Sequence, residues 1–508
     1  MLSRSRTAAK LARHLPPCTC FHAVPARAAV RSFAPSTSTW TCTPPRAPSL
    51  RRSYTSEPPR NDPLLVAGTS YLRDDYTNVT PTILSKLDRA LHLNPQHPIG
   101  ILRTLIESHF HDFAHLNSLS PIVTVQQNFD DLGFPKDHPG RSLTDSYYLN
   151  RDHMLRTHTS AHEVESFRNG LDRFLLTADV YRRDEIDRSH YPVFHQMEAC
   201  NIVDPSHGGI ERLARENVEM SRMLEQANIE ISDPTREVTA TNPYQAEHDP
   251  EVARIIAEHL KNSLNGLVLK LFGGLKGTEG GPLQVRWIEA TFPWTAPSYE
   301  VEVMYNGKWL EILGCGVVRQ DILARSGASS CLLAVDLLNL SLLVHRPLEP
   351  STDPGGLTGV PHKSGWAFGL GLERIAMVLF SIPDIRLFWS LDPRFSSQFE
   401  SGKISSFKPY SKYPECYKDL AFWLPGGEGE AQAWHENDFM ELVRDEAGDL
   451  VEGVQLIDQF THPKTGRQSR CYRFNYRSMD RSLSNEEVNK IQDKVIQRVT
   501  GEMGVAVR

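Results

Sequence analysis

Long apolar runs are missing from this 508-residue chain. None approaches the roughly 18 residues that a membrane-spanning helix requires, and the nearest, residues 331–344, is interrupted by Asp336 and Asn339. A soluble protein with no membrane partner is therefore expected. Cysteine is scarce and scattered: of eight, only Cys18 and Cys20 lie close together. Neither a zinc set nor a disulfide framework can be read from that spacing, which suits a reducing compartment. The glycines of residues 272–281 lack the G-K-[ST] ending of a phosphate loop, so a turn between helix and strand is expected there. Ser160 lacks the G-x-S-x-G surroundings of a nucleophilic serine.

Acidic residues are absent from positions 1–56, which carry eight Arg and one Lys among many Ser, Thr, Ala and Pro. This is the composition of a mitochondrial transit peptide, with a disordered basic arm for nucleic acid as the plainer alternative. Arg52, two residues before Tyr54, suggests cleavage after Tyr54, giving a transit segment of residues 1–54 and a mitochondrial matrix location. Without those nine cations, 46 Lys and Arg face 62 Asp and Glu. Contact with RNA would then depend on local basic surface and not on net charge.

What remains has the length for two or three domains with a large core, at 40% hydrophobic and 23% charged residues. Residues 181–198, YRRDEIDRSHYPVFHQME, are its most informative stretch. Apolar runs on each side are interrupted by a charged centre, the pattern of two strands joined by a long polar hairpin loop. Arg182 can present a planar fork to a phosphate, and Phe194 a flat face to a base. Gln196 and Glu198, two apart on a strand, share a face and can offer an amide and a carboxylate to an ammonium group. An ordinary solvated ion-pair loop is the competing reading.

Upstream, His158 and His162 lie four apart beside Glu163, but no third ligand has a matching spacing, and no metal site is expected there. Residues 98–113 read as an amphipathic helix opening at Pro98. Residues 204–230 and 251–273 read as helices with one apolar face. In TFPWTAPSYEVEV (291–303), Phe292 and Trp294 alternate as on one face of a strand, where both can meet a phenyl ring edge-to-face. Plain core packing is the alternative for that pair.

After a Ser-rich linker, residues 407–508 read as strand, helix, strand, hairpin, strand, helix, terminal strand, a ferredoxin-like order. Tyr472, Phe474 and Tyr476 alternate with Arg473, Asn475 and Arg477, giving an apolar and a basic face. Lys464, Arg467, Arg470, Arg473, Arg477 and Arg481 are offset locally by a single acid, Asp480; a solvated sheet face is the alternative to an RNA contact.

Taken together, these segments resemble class II aminoacyl-tRNA synthetases in the phenylalanyl form. Residues 181–198 are similar to the second signature motif, RTHTSAHE (156–163) to the segment upstream, and 291–303 to the phenylalanine-pocket strand. WLEILGCG (309–316) and GWAFGLGLERIAM (365–377) are similar to the third motif, and 407–425 to the entry of the anticodon-binding domain. The single-chain mitochondrial form fits best. The resemblance implies an α+β fold: an antiparallel-sheet catalytic domain with helices at residues 60–400 and a ferredoxin-like anticodon-binding domain at 407–508. It also implies ATP and Mg2+, phenylalanine and mitochondrial tRNA(Phe), and a monomer. His158, Ser160, Gln196 and Glu198 would orient the amino acid, while Phe292, Trp294, Ala367 and Gly369 shape its side-chain pocket. Arg182 would lie on the α-phosphate, Phe194 and Arg374 around adenine, and Glu311 near magnesium or the ribose. Lys464, Arg467, Arg470, Arg473 and Arg477 would meet tRNA. A synthetase-derived RNA-binding or regulatory protein without ligase activity is the rival reading, disfavoured because Arg182, Glu198 and Arg374 are all present. Residues 328–359 fall between segments that the family joins by a short connection. They read either as an extruded loop or as a translated intron, and the aggregation hazard of the apolar half favours the second.

Overall fold

The computed structural model describes residues 62–274, 281–326, 362–410, 413–425 and 434–508. The expected transit segment and the atypical residues 328–359 lie outside these. Among the described residues, no helix is long and apolar enough to cross a membrane.

Eight strands build the central sheet: β1 (Ala114–Leu116), β2 (Arg173–Tyr181), β3 (Val193–Val203), β4 (Ile229–Ser232), β5 (Leu283–Phe292), β6 (Thr295–Tyr305), β7 (Lys308–Val318) and β8 (Ser364–Gly371). Their spatial order is β1-β2-β3-β8-β7-β6-β5-β4. The six inner strands pair antiparallel, whereas β1 and β4 join the edges in parallel. The charged loop of residues 182–192 thus connects two adjacent antiparallel strands, as the alternation in sequence indicates.

One face of this sheet is closed by helices. Pro250–Phe272 starts at a proline whose N-terminal neighbour Asp249 accepts hydrogen bonds from the free amides of Glu251 and Val252. Two sheet tryptophans donate to it, Trp287 Nε1 to Asn265 Oδ1 at 3.1 Å and Trp366 Nε1 to His259 Nδ1 at 3.0 Å. These bonds satisfy the indole N–H groups that burial would otherwise strand. The helix Pro98–Glu107 buries Ile99, Ile101, Leu102 and Ile106 in the same core. It is shorter than the sequence pattern indicates, since Phe110 and Phe113 follow its end. The stretch at 204–230 also differs from a single helix. The helix proper is Gly209–Glu225, preceded by the 3-10 turn Pro205–His207 and followed by the edge strand Ile229–Ser232. The alternation of Ile229 and Ile231, too short to register against the helical period, belongs to a strand.

A second sheet holds β9 (Cys416–Trp423), β10 (Val451–Thr461), β11 (Gln468–Tyr476) and β12 (Ala506–Val507) in the order β10-β11-β9-β12. With helices Glu436–Ala447 and Asn485–Met503 it forms the β-α-β-β-α-β ferredoxin-like arrangement. Tyr472, Phe474 and Tyr476 all point into its core, against Phe422, Phe439 and Val495. Ile186, from the hairpin loop of the first sheet, is buried in the same cluster, and its carbonyl accepts from Val454 N at 3.0 Å.

A buried ion pair anchors the segment 156–163 against β2. The Arg156 guanidinium, 2% exposed, hydrogen-bonds the Asp179 carboxylate and backbone carbonyl, the carbonyl of Ser120 at 2.8 Å, and His162 Nε2 at 3.0 Å. Burial works to raise the Asp179 carboxyl, but Arg156, His195 and the Tyr181 hydroxyl together hold the group below its ordinary value. Arg156→Met would leave that carboxylate buried without its cation. It is expected to destabilise the protein by about 3–5 kcal/mol, measured by urea denaturation at neutral pH.

Candidate active site

The open face of the central sheet is paved with small residues. Register pairs Glu198 with Gly369 and Gly369 with Gly314. One row along, Cys200 faces Ala367, and Ala367 faces Gly316. Paired residues project on the same side, so Gln196 and Glu198 on β3 look along a floor with almost no side chains, while Cys200 is covered by the apolar cluster of Val164, Phe167, Ile322 and Leu323. A Cβ on Gly369 would meet nothing within 4 Å, whereas one on Gly314 would come 2.6 Å from the Phe292 ring. The floor is therefore open beside Glu198 and walled by an aromatic ring farther across.

Above it lies a pocket with about 670 Å3 of empty space, open to solvent. His158, Ser160, Gln196 and Glu198 line one side, Phe292, Trp294, Ala367 and Gly369 another, and Arg182 and Glu311 also contribute. Ten residues singled out from sequence thus share one cavity. The Glu198 side chain is buried, and its Oε2 accepts from Thr159 Oγ1 at 2.9 Å and Ser160 Oγ at 2.6 Å. Burial nevertheless pushes its pKa up to about 7 against the pull of those hydroxyls. His158 is held neutral by burial and by Arg182, down to about 3.

The aromatic wall differs from the expected strand. β5 ends at Phe292 and β6 begins at Thr295, so Trp294 sits in the tight turn between them. Alternation across Phe292-Pro293-Trp294 mimics a strand, but the proline interrupts the ladder. The two rings still act together: they stack with centroids 6.2 Å apart and planes 10° apart, and Trp294 continues to His158 at 6.0 Å. Phe134, which the sequence did not mark out, stacks on His158 at 5.6 Å and closes a triangle of rings with Trp294 at 5.7 Å.

Phe194 and Arg374 lie beside the pocket. The Arg182 guanidinium stands 5.4 Å from the centre of the Phe194 ring, and its Nε donates to the Thr157 carbonyl at 2.7 Å. Arg374, on the first turn of the helix Leu372–Leu379, pairs with Glu311 at 3.4 Å. That helix is clamped to β3 by a buried pair absent from the sequence reading: Glu373 accepts from His195 N at 2.8 Å and from His195 Nδ1 at 2.7 Å. His195 follows Phe194 and Glu373 precedes Arg374, so the clamp fixes the relative position of the ring and the guanidinium.

Glu300 was also missed. Paired with Gly314, it lies on the pocket side of β6. Burial and the nearby Glu311 and Glu302 carboxylates raise its pKa. Glu302 is paired with Arg286 and Glu311 with Arg374.

The C-terminal cations are less free than their local sequence indicates. Arg473 forms two 2.8 Å bonds with Asp419, Arg477 contacts Glu415 at 2.8 Å and Glu452 at 3.0 Å, and Arg470 lies 3.6 Å from Glu436. Their partners come from neighbouring strands and a helix, so Asp480 is not the only offsetting acid. Lys464 and Arg467 sit on the β10–β11 hairpin, with Arg467 5.3 Å from the Trp423 ring centre.

Comparison with known proteins agrees with this architecture. The class II tRNA synthetase core domain (F) matches residues 85–215, 252–347 and 351–399, and the ferredoxin-fold anticodon binding domain matches 411–508. The fold is that of a class II aminoacyl-tRNA synthetase. Mitochondrial phenylalanine–tRNA ligase of Saccharomyces cerevisiae is 46% identical over 475 residues, 87% of this chain and 94% of its own length. The chloroplastic/mitochondrial enzyme of Arabidopsis thaliana is 43% identical over 86% of this chain and 84% of its own, and the mitochondrial enzyme of Mus musculus 40% over 88% and 89%. The chain belongs to the mitochondrial phenylalanine–tRNA ligase family.

The open floor gives a direct test. Gly369→Val puts a branched side chain into empty pocket space on a strand that favours such residues. The variant is expected to unfold within about 1 kcal/mol of the parent while losing amino-acid-dependent ATP–pyrophosphate exchange.

Proposed function

We propose that this protein joins L-phenylalanine to mitochondrial tRNA(Phe) in the matrix, by way of a phenylalanyl-adenylate. The observation that carries the reading is one cavity with three chemically distinct ends: the buried carboxylate of Glu198, the stacked rings of Phe292 and Trp294, and the guanidinium of Arg182. A free aromatic amino acid has the matching ammonium and ring, and its carboxylate would point towards Arg182.

In the first step a phenylalanine carboxylate oxygen attacks the α-phosphorus of ATP. The bond to the bridging oxygen breaks, and diphosphate leaves. Arg182 offsets charge developing on the α-phosphate, and Arg374 and Phe194 hold the adenine between cation and ring. Glu198 fixes the ammonium, Gln196 and Ser160 orient the backbone groups, and His158, kept neutral, packs on Trp294 at the pocket wall. Glu300 and Glu311 would hold Mg2+, which supplies charge neutralisation to the ATP phosphates when bound. In the second step the hydroxyl of the tRNA terminal ribose attacks the adenylate carbonyl, and AMP leaves. Rate enhancement rests on positioning and on preorganised charge.

The C-terminal module would hold the anticodon stem, with Lys464 and Arg467 as the cations least committed to acids and Arg470, Arg473 and Arg477 contributing if their pairs exchange for phosphates. The basic, acid-free segment 1–54 supports mitochondrial import, as do the organelles named for the relatives. The protein is read as a monomer, since the apolar face of Pro98–Glu107 is used within its own core.

Phenylalanine-dependent ATP–pyrophosphate exchange tests the first step. Arg182→Ala and Arg374→Ala are each expected to lower it about 100- to 1000-fold with unchanged circular dichroism. Near-normal exchange in either soluble variant would contradict the assignment.

Side-chain selectivity supplies a separate test. Tyrosine adds one hydroxyl to phenylalanine, which a hydrophobic pocket rejects by only about 100-fold. Ala367, buried on the floor between Cys200 and Gly316, sets the depth. Ala367→Gly is expected to raise kcat/KM for tyrosine relative to phenylalanine by about tenfold, measured by exchange with each amino acid.

A further inference from the structure

Behind Glu198, away from the cavity, a second carboxyl group is buried. Glu163 is 1% exposed, at the start of the short helix Glu163–Arg168. Its Oε1 receives the Cys200 thiol at 3.6 Å, and its Oε2 is buried without a partner that an ionised carboxylate could use. Oxygens of Glu163 and Glu198 and the sulfur of Cys200 lie within 4.8 Å of one another. At that separation, out of water, two ionised carboxylates would repel each other strongly.

Two carboxylates are acceptors only, so a hydrogen bond between them requires a proton. Buried side by side, they cannot both ionise. Which one keeps the proton follows from their other contacts. Glu198 Oε2 accepts two hydroxyl hydrogen bonds, from Thr159 and Ser160, which favour its ionised form. Glu163 has one weak thiol donor. Burial and the neighbouring Glu198 charge raise the Glu163 carboxyl well above its usual range.

We propose that Glu163 is a positioning residue for amino-acid recognition: it carries the one proton shared by the pair and donates it to Glu198, so that the substrate ammonium meets a single, fixed negative charge. A lone buried carboxylate would turn and attract water, whereas a doubly ionised pair could not be held in this site. This inference rests on the reading that Glu198 receives the ammonium.

Other titratable groups facing the pair do not supply that proton. On the adjoining turn, burial holds His158 and His162 neutral, down to about 3, and Arg156 is committed to Asp179. Across the cavity, Arg182 and Glu311 face the ligand space. On the packed helix Gln320–Ser326, Asp321 and Arg325 pair with each other at 3.0 Å. Glu165 and Arg168 share the helix of Glu163, and Glu165 accepts from Gln127 Nε2 at 3.3 Å.

The test compares Glu163→Gln, Glu163→Ala and Glu198→Gln in the full chain, by phenylalanine-dependent pyrophosphate exchange between pH 6 and 9 and by infrared difference spectroscopy on phenylalanine binding. The Gln variant keeps a donor to Glu198, and its KM at pH 7.5 should stay within about threefold of the parent. The Ala variant removes the donor, and its KM should rise about 10- to 100-fold with kcat little changed, the cost of a hydrogen bond to a charged group. The parent should show a protonated-carboxyl band that both Glu163 variants lack. A Glu163→Gln KM raised as far as that of the Ala variant would show that Glu163 acts as a second negative charge and would overturn the proposal. So would a protonated-carboxyl band that survives in both Glu163 variants. If Glu198→Gln leaves KM unchanged, the ammonium lies elsewhere, and the underlying site reading fails instead.

Discussion

Keeping a carboxylate buried on a sheet floor is the constraint around which this protein is arranged. Burial alone opposes the charge on Glu198, and the structure answers with hydroxyl donors from Thr159 and Ser160. Those hydroxyls reach Glu198 only because Arg156 anchors the segment before them to β2 through Asp179 and to the Ser120 carbonyl. The floor beside the carboxylate is cleared by Gly369, and the far wall is closed by Phe292 where it abuts Gly314. A site so prepared binds an ammonium better than water does, because the low local dielectric strengthens a matched pair as much as it penalises an unmatched one.

Nucleotide chemistry is tied to the same strand from the other end. Residues just beyond Gln196 carry His195 and Phe194, and the buried Glu373–His195 contact sets Arg374 relative to that ring. The loop leading from Arg182 does not end in solvent. Arg183 pairs with Asp438 at 3.0 Å, Arg188 with Glu452 at 3.1 Å, and Ile186 enters the apolar core of the C-terminal module. One hairpin therefore joins the proposed phosphate contact to the proposed tRNA-binding module. Buried or half-buried ion pairs at such a junction contribute more to fixing geometry than to net stability.

How much of this was legible in the sequence depended on how local the cause was. The β2–β3 hairpin was legible because period-two alternation brackets its charged loop, and the C-terminal order because each element is bounded by turn residues. Trp294 was placed on a strand because Phe-Pro-Trp keeps the alternation while breaking the ladder. Glu300 escaped notice because only the register of β6 against β7 puts it opposite Gly314. The arginines of β11 read as free because Asp419 lies 54 residues from Arg473 in sequence. Glu163 was visible only as part of a histidine pattern, since its relation to Glu198 arises from folding a short helix over a strand.

The central claim is that one pocket receives the whole phenylalanyl-adenylate, and a crystal structure with its non-hydrolysable sulfamoyl analogue tests it most directly. The account predicts the ammonium about 2.7–2.9 Å from a Glu198 oxygen, the phenyl ring over Gly369 against Phe292 and Trp294, and the adenine between Phe194 and Arg374. A bound analogue with its ammonium away from Glu198, or its phenyl ring outside the wall of Phe292 and Trp294, would contradict it.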